Sequence, residues 1–112
     1  MAGTVKRLFG PLALTTTTTT NIYNNSSSLI YDILKRIIVC NKTGGPITFS
    51  IWLGGTGGNV SGTELFNGMS VPANFTATYN LNLKLVSTDF LVGGASANTS
   101  LTITGEGEQF VV

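Results

Sequence analysis

Chemistry in this 112-residue chain would have to come from five carboxylates (Asp32, Glu64, Asp89, Glu106 and Glu108), six Lys and Arg and a single cysteine, with no histidine. The one suggestive spacing is Glu106-Gly107-Glu108. In a strand, residues two apart share a face, and a carboxylate pair so placed is what acid–base attack on a glycosidic bond requires. Gly105 and Gly107 alternate with the two acids, which predicts an exposed, loosely held segment whose carboxylates meet water or a neighbour's Lys or Arg. No EF-hand-like series of oxygen ligands accompanies them. Cys40, in Ile37-Ile38-Val39-Cys40, reads as a small buried hydrophobe, because a reactive thiolate wants a basic or histidine neighbour. The Gly54–Gly58 loop has neither the Gly-Lys-Ser/Thr ending nor the βαβ setting of a phosphate loop. These residues predict a protein that is not an enzyme and uses no metal or cofactor.

Composition narrows the remaining classes. Only 10% of residues are charged, the net charge is +1 and 42% are hydrophobic, which reads as one globular domain. The apolar runs are far shorter than the ~20 residues of a membrane helix, and the first residues lack the apolar stretch of a signal peptide, so no membrane partner is expected. Lys6-Arg7 and Lys35-Arg36 are isolated basic pairs, not the basic face of a nucleic-acid binder. Asn-x-Ser/Thr triplets such as Asn41-Lys42-Thr43 follow from a composition rich in Thr and Asn. So few charges protect a free monomer poorly, which predicts that neighbouring chains cover much of the surface.

The elements that must position these residues are strands. Residues 1–11 read as an extended N-terminal arm, ended by Gly10-Pro11. Its residues Val5, Lys6, Arg7, Leu8 and Phe9 cannot bury themselves on so short a segment, so they are the expected docking contacts. Residues 12–112 form the body. Thr15–Thr20 predicts an edge strand by β propensity, with Thr15, Thr17 and Thr19 as expected subunit contacts; a mucin-like stalk would want prolines within the tract. Ile30–Asn41 is apolar at both odd and even positions, which predicts a central strand covered on both faces. Ile47–Leu53 alternates cleanly and turns Trp52 outward, either as an isolated exposed aromatic or as a subunit-interface anchor. Shorter strands are expected at Thr63–Phe66, Met69–Val71, Phe75–Asn82, Phe90–Val92 (ending at Gly93-Gly94) and Thr99–Thr104. Seven to nine strands with frequent turns, and no helical periodicity, predict an all-β antiparallel sandwich, jelly-roll-like.

The order of motifs carries a resemblance. Lys6-Arg7-Leu8-Phe9-Gly10-Pro11 is followed by a Leu-Thr-Thr segment and by Ile37-Ile38-Val39-Cys40-Asn41-Lys42-Thr43-Gly44. Then come Ile47-Thr48-Phe49-Ser50-Ile51, Gly62-Thr63-Glu64-Leu65-Phe66, Ser70-Val71-Pro72-Ala73-Asn74 and Leu101-Thr102-Ile103-Thr104-Gly105. From Lys6 to Glu108 this resembles the small β-sandwich structural proteins of tailed bacteriophages, found as head decoration (cement) or tail-associated subunits. The resemblance implies a virion location and a homotrimer or similar oligomer. The expected function is capsid decoration: binding the major capsid protein on the outer surface of the head and bridging its subunits. A tail, neck or fibre-attachment subunit is the alternative within the virion. A carbohydrate-binding adhesin using Trp52 and exposed Asn side chains is the alternative of another class.

Overall fold

The computed structural model describes residues 3–112; Met1 and Ala2, the first two residues of the expected arm, lie outside the described residues. Among the described residues there are eight strands: β1 (Thr4–Ala13), β2 (Asn21–Tyr23), β3 (Ile30–Asn41), β4 (Ile47–Gly54), β5 (Glu64–Val71), β6 (Phe75–Leu85), β7 (Phe90–Ala95) and β8 (Leu101–Val111). They form two four-stranded antiparallel sheets, β1-β8-β3-β6 (sheet A) and β2-β7-β4-β5 (sheet B). The pairings β1 with β8, β2 with β7, β3 with β6 and β4 with β5 are those of a long hairpin wrapped into two layers. That nested order of eight strands is a jelly roll, and the chain is an all-β sandwich as the alternation predicts.

Inward residues of both sheets make one core, centred on Leu34, Ile37, Val39, Phe49, Ile51, Leu91, Leu101 and Ile103. β4 follows expectation: Phe49 and Ile51 are buried, while Thr48 and Trp52 lie on the other face. The two short strands expected at Thr63–Phe66 and Met69–Val71 are one irregular strand, β5, whose pairing with β4 shifts register between Phe49 and Ile51. β7 does not stop at Gly93-Gly94. It runs through both glycines to Ala95, all buried, because the β4 backbone passes over one and the Thr15–Thr17 backbone over the other.

Three expectations change. The arm is not free: residues 4–13 pair with β8 from Thr4 opposite Gln109 to Ala13 opposite Thr102. β3 is a central strand as expected, between β8 and β6, but within one copy of the chain its fully buried residues follow a single inward phase that changes along the strand. Asp32 and Leu34 are buried, then Ile37, Val39 and Asn41. The inward phase switches from even to odd because Lys35 is an extra residue, a β-bulge between Leu34 opposite Gly107 and Arg36 opposite Glu106. The threonine run is a loop rather than a strand. It must cross from an edge of sheet A to an edge of sheet B, and that crossing overrides β propensity. Its hydroxyls and carbonyls bond locally, Thr20 Oγ1 donating to the Thr17 carbonyl at 2.7 Å. At its two ends the Thr15 and Thr20 carbonyls accept from the Ala95 and Gly93 amides of β7.

Candidate functional surface

The outer face of sheet A gathers most of the charge and, of the expected docking residues, Val5 and Arg7. Strand register builds it row by row. Arg7 on β1 lies opposite Glu106 on β8, which lies opposite Arg36 on β3, which lies opposite Asn80 on β6. The next row is Val5, Glu108, Ile33 and Lys84. Below it Tyr31 and Phe110 stack at 5.0 Å between ring centroids, and the Lys84 ammonium lies 4.8 Å from the Tyr31 ring centroid, within cation–π range. A shallow depression of about 330 Å³ is lined by Val5, Lys35, Arg36, Glu106, Gly107 and Glu108.

The acid pair sits on a firm support. Gly105 and Gly107 belong to an inner strand and are buried, so the expectation of a loose segment fails. Both positions are glycine for reasons of space. A Cβ on Gly105 would enter the Phe9 ring, and one on Gly107 would fall onto the Ile33 carbonyl, where the β3 bulge presses inward. Glu106 and Glu108 therefore project from a rigid strand. Arg36 Nε meets Glu106 Oε1 at 2.6 Å, an exposed intramolecular pair worth at most about 1 kcal/mol. No imidazole, thiol or other nucleophile joins the pair. Among the described residues no three His, Cys, Asp or Glu side chains could hold one metal ion. The face offers charge of both signs, from Arg7, Lys35, Arg36, Lys84, Glu106 and Glu108, and the exposed Val5.

The structure separates the expected docking residues. Val5, 83% exposed, and the exposed Lys6 and Arg7 are available to a partner. Leu8 is half-buried and packs on the core. Phe9 is corrected: it is a core residue, 7% exposed, its ring over Gly105 and 5.5 Å from that of Tyr23. Once residues 4–13 pair with β8, alternation turns every second side chain inward. Trp52 lies on the opposite layer, on the outer face of sheet B, opposite Glu64 and Val92. It is half-buried, and its indole Nε1 is buried without a hydrogen-bond acceptor among the described residues. Thr17 and Thr19 are exposed and Thr15 half-buried, in the loop between β1 and β2, so neither Trp52 nor these threonines join the sheet A surface.

Sequence reasoning missed a polar cluster between the layers. Asp32 is fully buried, and among the described residues no Lys or Arg forms an ion pair with it. It accepts hydrogen bonds from the Tyr23 hydroxyl at 2.6 Å, from Asn25 Nδ2 at 3.2 Å and from Gln109 Nε2 at 3.0 Å. Gln109 Oε1 in turn accepts from Lys6 Nζ at 3.2 Å. Burial, then the Asp32 hydrogen bond and charge, raise the Tyr23 pKa far above its ordinary 10.0. The cluster ties β3 and β8 of sheet A to β2 of sheet B. Its sequence signal was a lone acid in an apolar strand, between Tyr31 and Ile33. Asn41, also buried, plays a similar part at the other end of β3, where Nδ2 donates to the Gly45, Val71 and Pro72 carbonyls.

No protein-family model matches this chain, and no curated protein matches it either.

Proposed function

We propose that this chain is a structural protein of a bacteriophage virion, a capsid decoration protein that binds the major capsid protein through the outer face of sheet A. The observation that carries the reading is the placement of Val5 and Arg7 beside Lys35, Arg36, Glu106 and Glu108 on one rigid, exposed sheet face. Such a face is suited to adhesion by many small contacts. A rigid sheet also loses little conformational entropy on docking. The jelly roll supports the reading by analogy only, since viral capsid domains share that architecture with lectins and cupins.

The test is binding of the purified chain to phage heads depleted of accessory proteins. Decoration predicts saturation at hundreds of copies per head, on the order of one standard interface of ~800 Å² per partner, and heads that withstand higher temperature. An Arg7→Glu, Arg36→Glu variant reverses two charges on the face and should weaken binding at least tenfold with its melting temperature held within a few degrees. Saturation at a handful of copies would transfer the protein to the tail or neck. Absence of binding to any part of the particle would overturn the virion reading.

A further inference from the structure

Each sheet of a sandwich has two edges, and an open edge invites another strand unless something blunts it. Three of the four edges here are blunted. β1 carries Lys6, Arg7 and Pro11 and two register shifts. β2 is only three residues long. β5 is broken by register shifts and by Gly68 at φ 58°. β6, Phe75-Thr76-Ala77-Thr78-Tyr79-Asn80-Leu81-Asn82-Leu83-Lys84-Leu85, has eleven residues, no proline or glycine and one charge, and its pairing with β3 shifts register only once, between Leu83 and Asn80.

The sandwich is also open along this edge. Tyr79 on β6 bridges the gap to sheet B through a ring cluster with Phe49 and Phe66, with centroids 5.7 and 5.2 Å away. Ala77, Leu81 and Leu83 of β6, and Leu65 and Met69 of β5, pack on the core yet stay partly exposed. Phe75 at the start of β6 is 50% exposed, and Val86 just past its end is 38% exposed.

We infer that β6 pairs antiparallel with β6 of a second copy across a two-fold axis, joining two sheets A into one eight-stranded sheet. The strand is complementary to itself. With the axis at Asn80, the inward residues meet as Phe75 with Leu85, Ala77 with Leu83 and Tyr79 with Leu81. Outward, Thr76 meets Lys84, Thr78 meets Asn82 and Asn80 meets Asn80. No like charges oppose each other, and aromatic residues face aliphatic ones, pairs that favour cross-strand contact. Each exposed Phe75 reaches the Leu85–Val86 end of the other copy. Eleven residues at ~3.4 Å each, times the 19 Å shortest extent of the molecule, cover on the order of 700 Å² per copy, near the ~800 Å² of a stable interface. The pairing is isologous, so its product is a dimer, and the threefold implied by the phage resemblance would have to use another surface. This inference stands on the edge alone and holds or falls independently of a virion role.

Sedimentation equilibrium of the full chain decides it. The expected species has twice the 11.7 kDa chain mass and dissociates on dilution. Asn80→Lys puts two ammonium groups opposite each other at an exposed position, so it should raise the dimer dissociation constant at least tenfold, while its place across from Arg36 on β3 should lower the melting temperature of the monomer by only a few degrees. Mixing Asn80→Lys with Asn80→Asp should restore the dimer as a heterodimer. Thr104→Lys, on an inner strand of the same outer face, should leave dimerisation unaltered. A monomer at about 100 μM, or a dimer or trimer indifferent to Asn80→Lys, would overturn the inference.

Discussion

Single side chains divide here between a working surface and the interior, and the sequence shows only part of that division. Val5 and Arg7 stand out as an apolar and a basic residue on a short leader, and both are surface residues. Phe9, two positions on, looks the same in the string of letters, yet it is core, because a strand turns alternate residues inward once its partner is known. Asp32 was legible as an acid but not as a buried one: its three neutral donors come from residues 9, 7 and 77 positions away. Its partner Tyr23 makes a testable statement. The raised Tyr23 pKa means that above pH 10 the unfolded chain releases this proton while the folded one retains it. The proton-linked stability is therefore complete below pH 10 and falls as pH rises beyond it. Tyr79, raised by burial, adds the same sign. Urea unfolding from pH 8 to 11.5 should show this decline, and Tyr23→Phe should flatten much of it while lowering stability at pH 8 by about 1–2 kcal/mol for the lost hydrogen bond.

Strands were legible where one period held throughout. Ile47–Leu53 and Phe75–Asn82 alternate without interruption, and β4 and β6 lie where that pattern places them. β3 has the expected limits, but its double apolar character came from a change of phase at Lys35, and a bulge has no composition of its own to read. The threonine run misled for the opposite reason: strong local propensity was overruled by the need to cross between layers. The bulge on β3 and the glycine on β8 act as a pair. Because the β3 backbone presses where a Gly107 side chain would go, Gly107→Ala should force strands β3 and β8 apart and cost about 2–4 kcal/mol, read as a drop in urea midpoint. Ala at exposed Gly44, which has open space around it, should change stability by less than about 0.5 kcal/mol.

At the scale of the whole molecule, class was readable and wiring was not. Short alternating runs with frequent turns and no helical periodicity point to an all-β body, and that is what the chain forms. The nested order of the strands depends on contacts between segments as distant as Thr4 and Gln109, and no local pattern encodes that. Both layers share one core and are tied by the Asp32 cluster, so they should unfold as a unit. Trp52 reports on sheet B and far-ultraviolet circular dichroism on both sheets. Their urea transitions should coincide in midpoint and slope; an earlier fluorescence transition would mean that sheet B melts alone.

The pairing of Thr4 with Gln109 has a mechanical consequence. Both ends of the folded body leave from one pole, on neighbouring strands that run in opposite directions. Tension applied between those ends does not shear the ladder as a whole; it opens the rungs one after another, like a zip, with the Lys6–Gln109 contact among the first to part. A tether that draws on only one end, with the outer face held down, loads many rungs together instead. The same fold is therefore easily peeled from its two ends and resists a load applied along its strands.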